Sequence, residues 1–127
     1  MIPVVFINCS LHPFLDMIMA DVKLDETRTR NTLRSVTGSR VLFAETGRGR
    51  KPLVRCSAVL LDPIVVRSRE TWDMLRNSHC VPAGSKYDWQ PWTKVKYLYP
   101  IINVVPVVPF VPPEGVRHGR TWMEYNN

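Results

Sequence analysis

Apolar and polar positions alternate along much of this chain, a pattern that favours strands over long helices. The first segment, IPVVFIN, is short and β-branched, which is typical of a buried strand. A later segment should bend or break at Asp62-Pro63, because proline cannot donate a hydrogen bond within a central ladder. The pattern predicts strands at residues 2–8, 22–30, 40–46, 53–66, 93–101 and 119–125.

Two segments instead show helical spacing of their apolar residues. The first covers residues 10–21, with Ser10 as its expected N-cap. The second covers residues 68–78, with Ser68 as its cap and Trp72 on its inner edge. The apolar face of the first helix is formed by Leu11, Phe14, Leu15 and Ile18.

These elements predict one α+β domain over residues 1–127, a mixed β-barrel of about five to seven strands closed by two short helices. The helices are too few for a doubly wound sheet. Residues 100–127 contain too many prolines for a central strand, so we expect this proline-rich segment to pack on the barrel as an extended edge.

Composition is that of an ordinary globular domain, with 45% hydrophobic and 22% charged residues. No apolar run reaches the ~18 residues that a membrane span needs, so we expect no membrane partner. The three cysteines, Cys9, Cys56 and Cys80, are odd in number and far apart, which predicts free thiols and a cytoplasmic location. Because the histidines are scattered as well, we expect no metal and no cofactor.

The positive charge is concentrated in one part of the chain. Nine Lys or Arg and three Asp or Glu fall between Lys23 and Arg55, a difference of +6, whereas the rest of the chain carries eight of each sign. A localised basic field favours an anionic partner, with nucleic acid first and nucleotide second. A solvated face that only aids solubility is the alternative.

The stretch KLDETR, residues 23–28, holds the most informative polar residues. Side chains two apart on a strand share a face, so Glu26 and Arg28 should lie side by side, with Thr27 on the other face. Lys23 lies at the strand entrance. If these charged side chains are half-buried, they must form hydrogen bonds to each other or to a ligand. If they lie on the surface, they form a ladder of weak ion pairs.

Aromatic and basic residues are interleaved in the segment that follows the second helix. Tyr87, Trp89 and Lys94 have the chemistry of base stacking and phosphate attraction, although core packing explains many of the rings in this region. Basic residues outside this segment are candidates for contacts with a nucleic-acid backbone, namely Arg30, Arg48, Arg50 and Lys51.

The order of these elements resembles the ASCH domain, a member of the PUA-like group. The likeness rests on Lys-x-x-Glu-x-Arg in KLDETR, preceded by the helix HPFLDMIMAD and followed by the strand SRVLFAETG. It implies a PUA-like barrel whose cleft beside the first helix is lined by Lys23, Glu26 and Arg28, and it implies RNA binding. In relatives that hydrolyse N4-acetylcytidine the motif has a threonine nucleophile where this chain has Glu26.

These observations predict a protein that binds RNA or a nucleotide-like ligand in a small basic cleft. Lys23 and Arg28 would hold anionic or carbonyl groups, Glu26 would accept from an exocyclic amine, and Tyr87 or Trp89 would stack. One alternative is an enzyme in the same cleft, a modified-nucleoside amidohydrolase or a ribonuclease, with Lys23 and Glu26 as its acid–base pair. Another is a protein-interaction module that uses the proline-rich segment.

Overall fold

The computed structural model describes residues 1–126. The strands belong to a single mixed sheet that forms the centre of the fold. The strands are β1 Ile2–Asn8, β2 Asp25–Arg28, β3 Arg40–Gly47, β4 Arg50–Leu60, β5 Ile64–Val66, β6 Lys96–Phe110, β7 Val116–His118 and β8 Trp122–Tyr125.

Short helices connect these strands on one side of the sheet. They are α1 Phe14–Met19, α2 Arg69–Met74 and α3 Arg76–His79, with a single 3-10 turn at Arg34–Val36. Within residues 1–126, no helix is long and apolar enough to cross a membrane.

The strand order is β2-β6-β4-β3-β1-β8-β7, and β5 also pairs with β6. β1 and β3 are parallel and the other neighbours are antiparallel. The sheet curls into a half-barrel, which confirms the predicted α+β class and mixed sheet. The strands number eight in the described chain, more than predicted, because the hairpin of β7 and β8 adds a three-residue strand.

β6 is the longest strand, and it continues into the proline-rich segment. Its first five residues lie between neighbouring strands, since β2 and β5 pair with residues 96–100. Residues 101–110 pair with β4 alone, through a ladder whose register shifts twice. Pro106 and Pro109 are therefore tolerated, because this part of the strand needs hydrogen bonds on one side only.

Buried residues form two clusters, one on each face of the sheet. Val5 and Ile7 belong to the main core beneath the helices, which also contains Trp72, whereas Val4 and Phe6 belong to the second cluster. β1 is thus buried on both faces, which explains its nearly continuous apolar sequence.

The two predicted helix caps have different outcomes. Ser68 caps α2 as predicted, because its Oγ accepts a hydrogen bond from the backbone N–H of Thr71 at 3.2 Å. The cap at Ser10 is wrong: α1 begins at Phe14 after Pro13, and the Ser10 hydroxyl bonds the Asn8 side chain instead. The first helix is six residues long because the chain before Pro13 turns rather than winding into a helix.

A two-residue turn joins β3 to β4 and projects from the end of the sheet. Arg48 and Gly49 both have positive φ, 56° and 69°, as a type I′ hairpin requires. Gly47 precedes them with φ 121°, and a Cβ on Gly47 would lie 2.9 Å from the backbone N of Ser10. Close packing against Ser10 therefore fixes the base of this hairpin.

The tight packing at Gly47 predicts a large difference between two neighbouring alanine substitutions. Gly49→Ala meets open space and should cost about 1 kcal/mol from its left-handed backbone. Gly47→Ala combines backbone strain with the contact on Ser10 and should cost clearly more, about 2–3 kcal/mol. Urea denaturation of both variants measures the difference. Equal losses of stability would mean that the hairpin base is not held against Ser10.

Candidate functional site

A cleft opens where β2 comes close to β1 without pairing with it. The Arg28 guanidinium on β2 crosses this gap and donates from Nη2 to the carbonyl oxygen of Phe6 on β1 at 2.8 Å. The cleft has a cavity volume of about 380 Å³. Its lining residues are Phe6, Ile7, Asn8, Phe14, Glu26, Thr27, Arg28, Thr29, Thr46, Tyr87, Arg120 and Thr121.

Glu26 and Arg28 form an ion pair in the cleft wall. Nη2 of Arg28 donates to Oε2 of Glu26 at 3.0 Å, and the Thr27 N–H donates to Oε1 at 3.2 Å. Glu26 is only 6% exposed, and Nε of Arg28 is buried without a partner in the described part of the chain. The pair balances its own charge and still presents a carboxylate and a guanidinium to whatever enters the cleft.

Lys23 lies behind this wall rather than in it. It is 2% exposed and absent from the lining, and its ammonium donates to the carbonyl oxygen of His79. Nζ also lies 4.7 Å from the centroid of the Phe14 ring, which lines the cleft. Burial lowers the pKa of Lys23, and the negative charge of Glu26 opposes this only in part.

A buried polar network supports the loop that carries Tyr87. The Trp72 indole N–H donates to Oδ1 of Asp88 at 2.7 Å, and Arg76 donates to the same oxygen at 3.1 Å. The ammonium of Lys96 lies 5.0 Å from the centroid of the Trp72 ring and donates to the carbonyl oxygen of Tyr87 at 3.0 Å. The network therefore fixes the backbone of Tyr87 beside the cleft.

His79 connects this network to Lys23. Its ring stacks on Trp72 with centroids 3.8 Å apart, and Nδ1 accepts from the Val81 N–H at 3.0 Å. Nε2 therefore carries the proton and donates to the carbonyl oxygen of Trp72 at 2.9 Å. Burial lowers the pKa of His79 to about 4, so the ring is neutral at physiological pH.

The cleft brings together some of the candidate residues and leaves others apart. Glu26, Arg28 and Tyr87 line it. Trp89 does not; its ring lies 6.4 Å from that of Trp72, against the core. Lys94 and Arg30 are exposed and also absent from the lining, and the basic hairpin residues Arg48, Arg50 and Lys51 surround a second, neighbouring cavity.

Several lining residues were not singled out as candidates from the sequence. Asn8 and Thr46 lie at the ends of β1 and β3, and Arg120 and Thr121 lie in the turn between β7 and β8. Only the basic character of that turn was visible in the sequence. Among residues 1–126, no three His, Cys, Asp or Glu side chains are grouped closely enough to hold a metal ion.

No protein-family profile matches this chain, and no curated protein matches its sequence. Among solved structures it is similar to the S128A mutant of the ASCH protein ZmASCH from Zymomonas mobilis. The two share a TM-score of 0.75 at 15% sequence identity, over 98% of this chain and 87% of that chain. The chain thus has the fold of an ASCH-domain protein, which confirms the resemblance at the level of the fold.

The environment of His79 predicts a loss of stability in mild acid. Its pKa falls from 6.5 to about 4 on folding, so the unfolded chain binds more protons between these values. The stabilisation is therefore complete above pH 6.5 and decreases by on the order of 3 kcal/mol as the pH falls to 4. Urea denaturation at several pH values measures this slope.

His79→Gln should be less stable at neutral pH but should lose most of this slope. His118→Gln, on the half-exposed β7–β8 hairpin, is the control and should retain it. Asp88 acts in a lower pH range. Burial opposes its ionisation, but hydrogen bonds from Gly84 and Trp72 outweigh burial and lower its pKa. Its contribution to stability therefore begins to decrease only as the pH falls below 3.8. An unchanged slope in His79→Gln would contradict the assignment.

Proposed function

We propose that this protein binds RNA and takes one unpaired base into the cleft between β1 and β2. The observation that carries the proposal is the Glu26–Arg28 pair, which holds a carboxylate and a guanidinium side by side in a concave wall. A carboxylate accepts from an exocyclic amine, as it does with N4 of cytosine, and a guanidinium donates to a carbonyl oxygen. The two groups together match the edge of a base that presents an amine beside an acceptor.

Aromatic rings supply the second element of base recognition. Tyr87 and Phe14 both line the cleft, with ring centroids 6.1 Å apart and planes inclined at 60°. Stacking of a base on such a ring contributes about 1–3 kcal/mol. Because Lys96 and the Asp88 network hold the Tyr87 loop in place, little conformational freedom is lost when a base binds.

Charge favours RNA over a neutral small molecule as the source of that base. The +6 excess between Lys23 and Arg55 comes from β4 and from the segments that flank β2 and β3, because the charges on β2 sum to −1 and those on β3 to zero. Arg120 adds a further cation to the lining. Attraction of a polyanion to this region raises the encounter rate, and the cleft then selects the base.

The proposal predicts a preference for cytosine that depends on Glu26. Short single-stranded RNAs carrying one central C, U, A or G should bind with C ahead of U. Glu26→Gln should remove most of this preference, a change of about tenfold, because an amide replaces a pure acceptor. Fluorescence anisotropy at fixed salt measures the four affinities.

Two further variants complete this experiment. Tyr87→Leu should weaken binding of all four RNAs about equally, since stacking is insensitive to base identity. Arg34→Gln, an exposed residue that lines neither cavity, is the control and should change binding by less than about twofold. Equal binding of the four bases by the native protein and by Glu26→Gln would overturn base recognition by this pair.

Lys23 supports a second candidate, a hydrolase acting on a modified nucleoside in the same cleft. A lysine with a lowered pKa approaches the condition for a general base, and Lys23 is close enough to Glu26 to feel its charge. Burial lowers the pKa of Lys23 by more than the negative charge of Glu26 raises it. Two features oppose this candidate. The Lys23 ammonium is directed at His79, and Glu26 stands where the amidohydrolases of the ASCH group have a threonine.

Turnover of N4-acetylcytidine separates the two functions. We expect the native protein and Glu26→Gln to be inactive, because no nucleophile stands at position 26 and Lys23 is held behind the wall. Glu26→Thr restores the hydroxyl and is the variant that should gain any activity. Rapid turnover by the native protein, abolished in Glu26→Gln, would make Glu26 a general base and the protein an enzyme.

A further inference from the structure

A second cavity lies beside the cleft, beneath the β3–β4 hairpin. Its volume is about 390 Å³, similar to that of the cleft. One wall is the hairpin itself, and the other is the chain between β1 and α1. The polar lining residues are Cys9, His12, Asp16, Glu45, Thr46, Arg48, Arg50 and Lys51.

The charges around this cavity do not balance. Both carboxylates, Asp16 and Glu45, are bound by the same Nη1 of Arg55, which lies outside the lining. Arg48, Arg50 and Lys51 have no ion-pair partner in residues 1–126. Arg55 offsets one of the two carboxylate charges, so the three cations without an ion-pair partner leave a net charge of +2 around one concavity, which favours an anion.

The thiol in the cavity does not alter this conclusion. Burial raises the pKa of Cys9, and the neighbouring carboxylate of Glu45 adds to the effect. Cys9 is therefore a neutral thiol at physiological pH, neither a nucleophile nor a competing anion. Ligand binding in this cavity therefore depends on its cations, Arg48, Arg50 and Lys51.

The two cavities adjoin each other. Thr46 lines both, and the Cys9 N–H donates to the Thr46 carbonyl oxygen at 2.8 Å, so the ridge between them is hydrogen-bonded. The ring of His12, in the second cavity, lies 6.2 Å from the ring of Tyr87, in the cleft. A ligand that is longer than the cleft can therefore extend past Thr46 into the second cavity.

We infer that the second cavity is a subsite for the phosphodiester next to the base in the cleft, an inference that rests on the proposed function. Arg48, Arg50 and Lys51 hold the phosphate from the hairpin side. Because Gly47 packs on Ser10, the base of the hairpin that carries these cations is held beside the cavity. The protein then distinguishes a nucleotide within an RNA chain from a free nucleoside by a built site as well as by diffuse attraction.

The test compares three ligands on the 127-residue chain: cytidine, cytidine monophosphate and a short single-stranded RNA with one central cytosine. Arg48→Gln/Arg50→Gln removes two cations from the subsite. Arg34→Gln/Arg67→Gln is the matched control, since it removes two exposed arginines that line neither cavity and form no ion pair within the described residues. Titrations at several salt concentrations give the affinities and their salt slopes.

We expect the subsite variant to bind RNA about 10- to 100-fold more weakly, with a salt slope reduced by about one unit, and to bind cytidine as the native protein does. The subsite variant should also bind cytidine monophosphate more weakly than the native protein does, but by a smaller factor than for RNA. The affinity of the control variant for any of the three ligands should fall by less than about threefold.

The outcomes separate this inference from the proposed function. Equal losses in the subsite variant and the control would show diffuse attraction only and would overturn the subsite. Binding of cytidine that a phosphate does not improve would also overturn it while leaving the cleft as a base site. Failure of every ligand to bind at low salt would remove both proposals together.

Discussion

The cleft depends on a single side chain that bridges two strands which do not pair. Arg28 spans from β2 to the Phe6 carbonyl oxygen on β1, and the same nitrogen holds Glu26. A ladder between these strands would close the gap, whereas a charged bridge keeps it open and polar. Removing either partner would leave a charge poorly compensated in a wall with little water, which is why the pair specifies this geometry.

The opposite side of the cleft is stabilised by a different kind of contact. Asp88 collects hydrogen bonds from Trp72, Arg76 and Gly84, and this places the loop with Tyr87 against α1 and the core. The Lys23 ammonium donates to the carbonyl oxygen of His79, so the KLDETR segment is joined to the same network. A buried hydrogen bond from Lys23 thus connects the chain just before β2 to the network that supports Tyr87 on the other side of the cleft.

Individual residues show which structural features the local sequence patterns predicted. The two-residue spacing of Glu26 and Arg28 correctly put them on one face. The break at Asp62-Pro63, which separates β4 from β5, and the Ser68 cap were also predicted. The alternating pattern of β2 was misleading in one respect. Asp25 and Glu26 are neighbours on opposite faces, yet both are buried, because the strand is covered on both sides.

The sequence by itself determined the α+β class, the mixed sheet and the residues of the motif, because alternation, turn residues and spacing act over a few positions along the chain. Only the tertiary structure decided that Lys23 turns away from the cleft, that Trp89 joins the core and that Thr46 and Arg120 line the site. These residues are brought there by strands far apart in sequence, and their side chains follow the burial and hydrogen bonds that the folded sheet provides. Local patterns carry no information about such contacts.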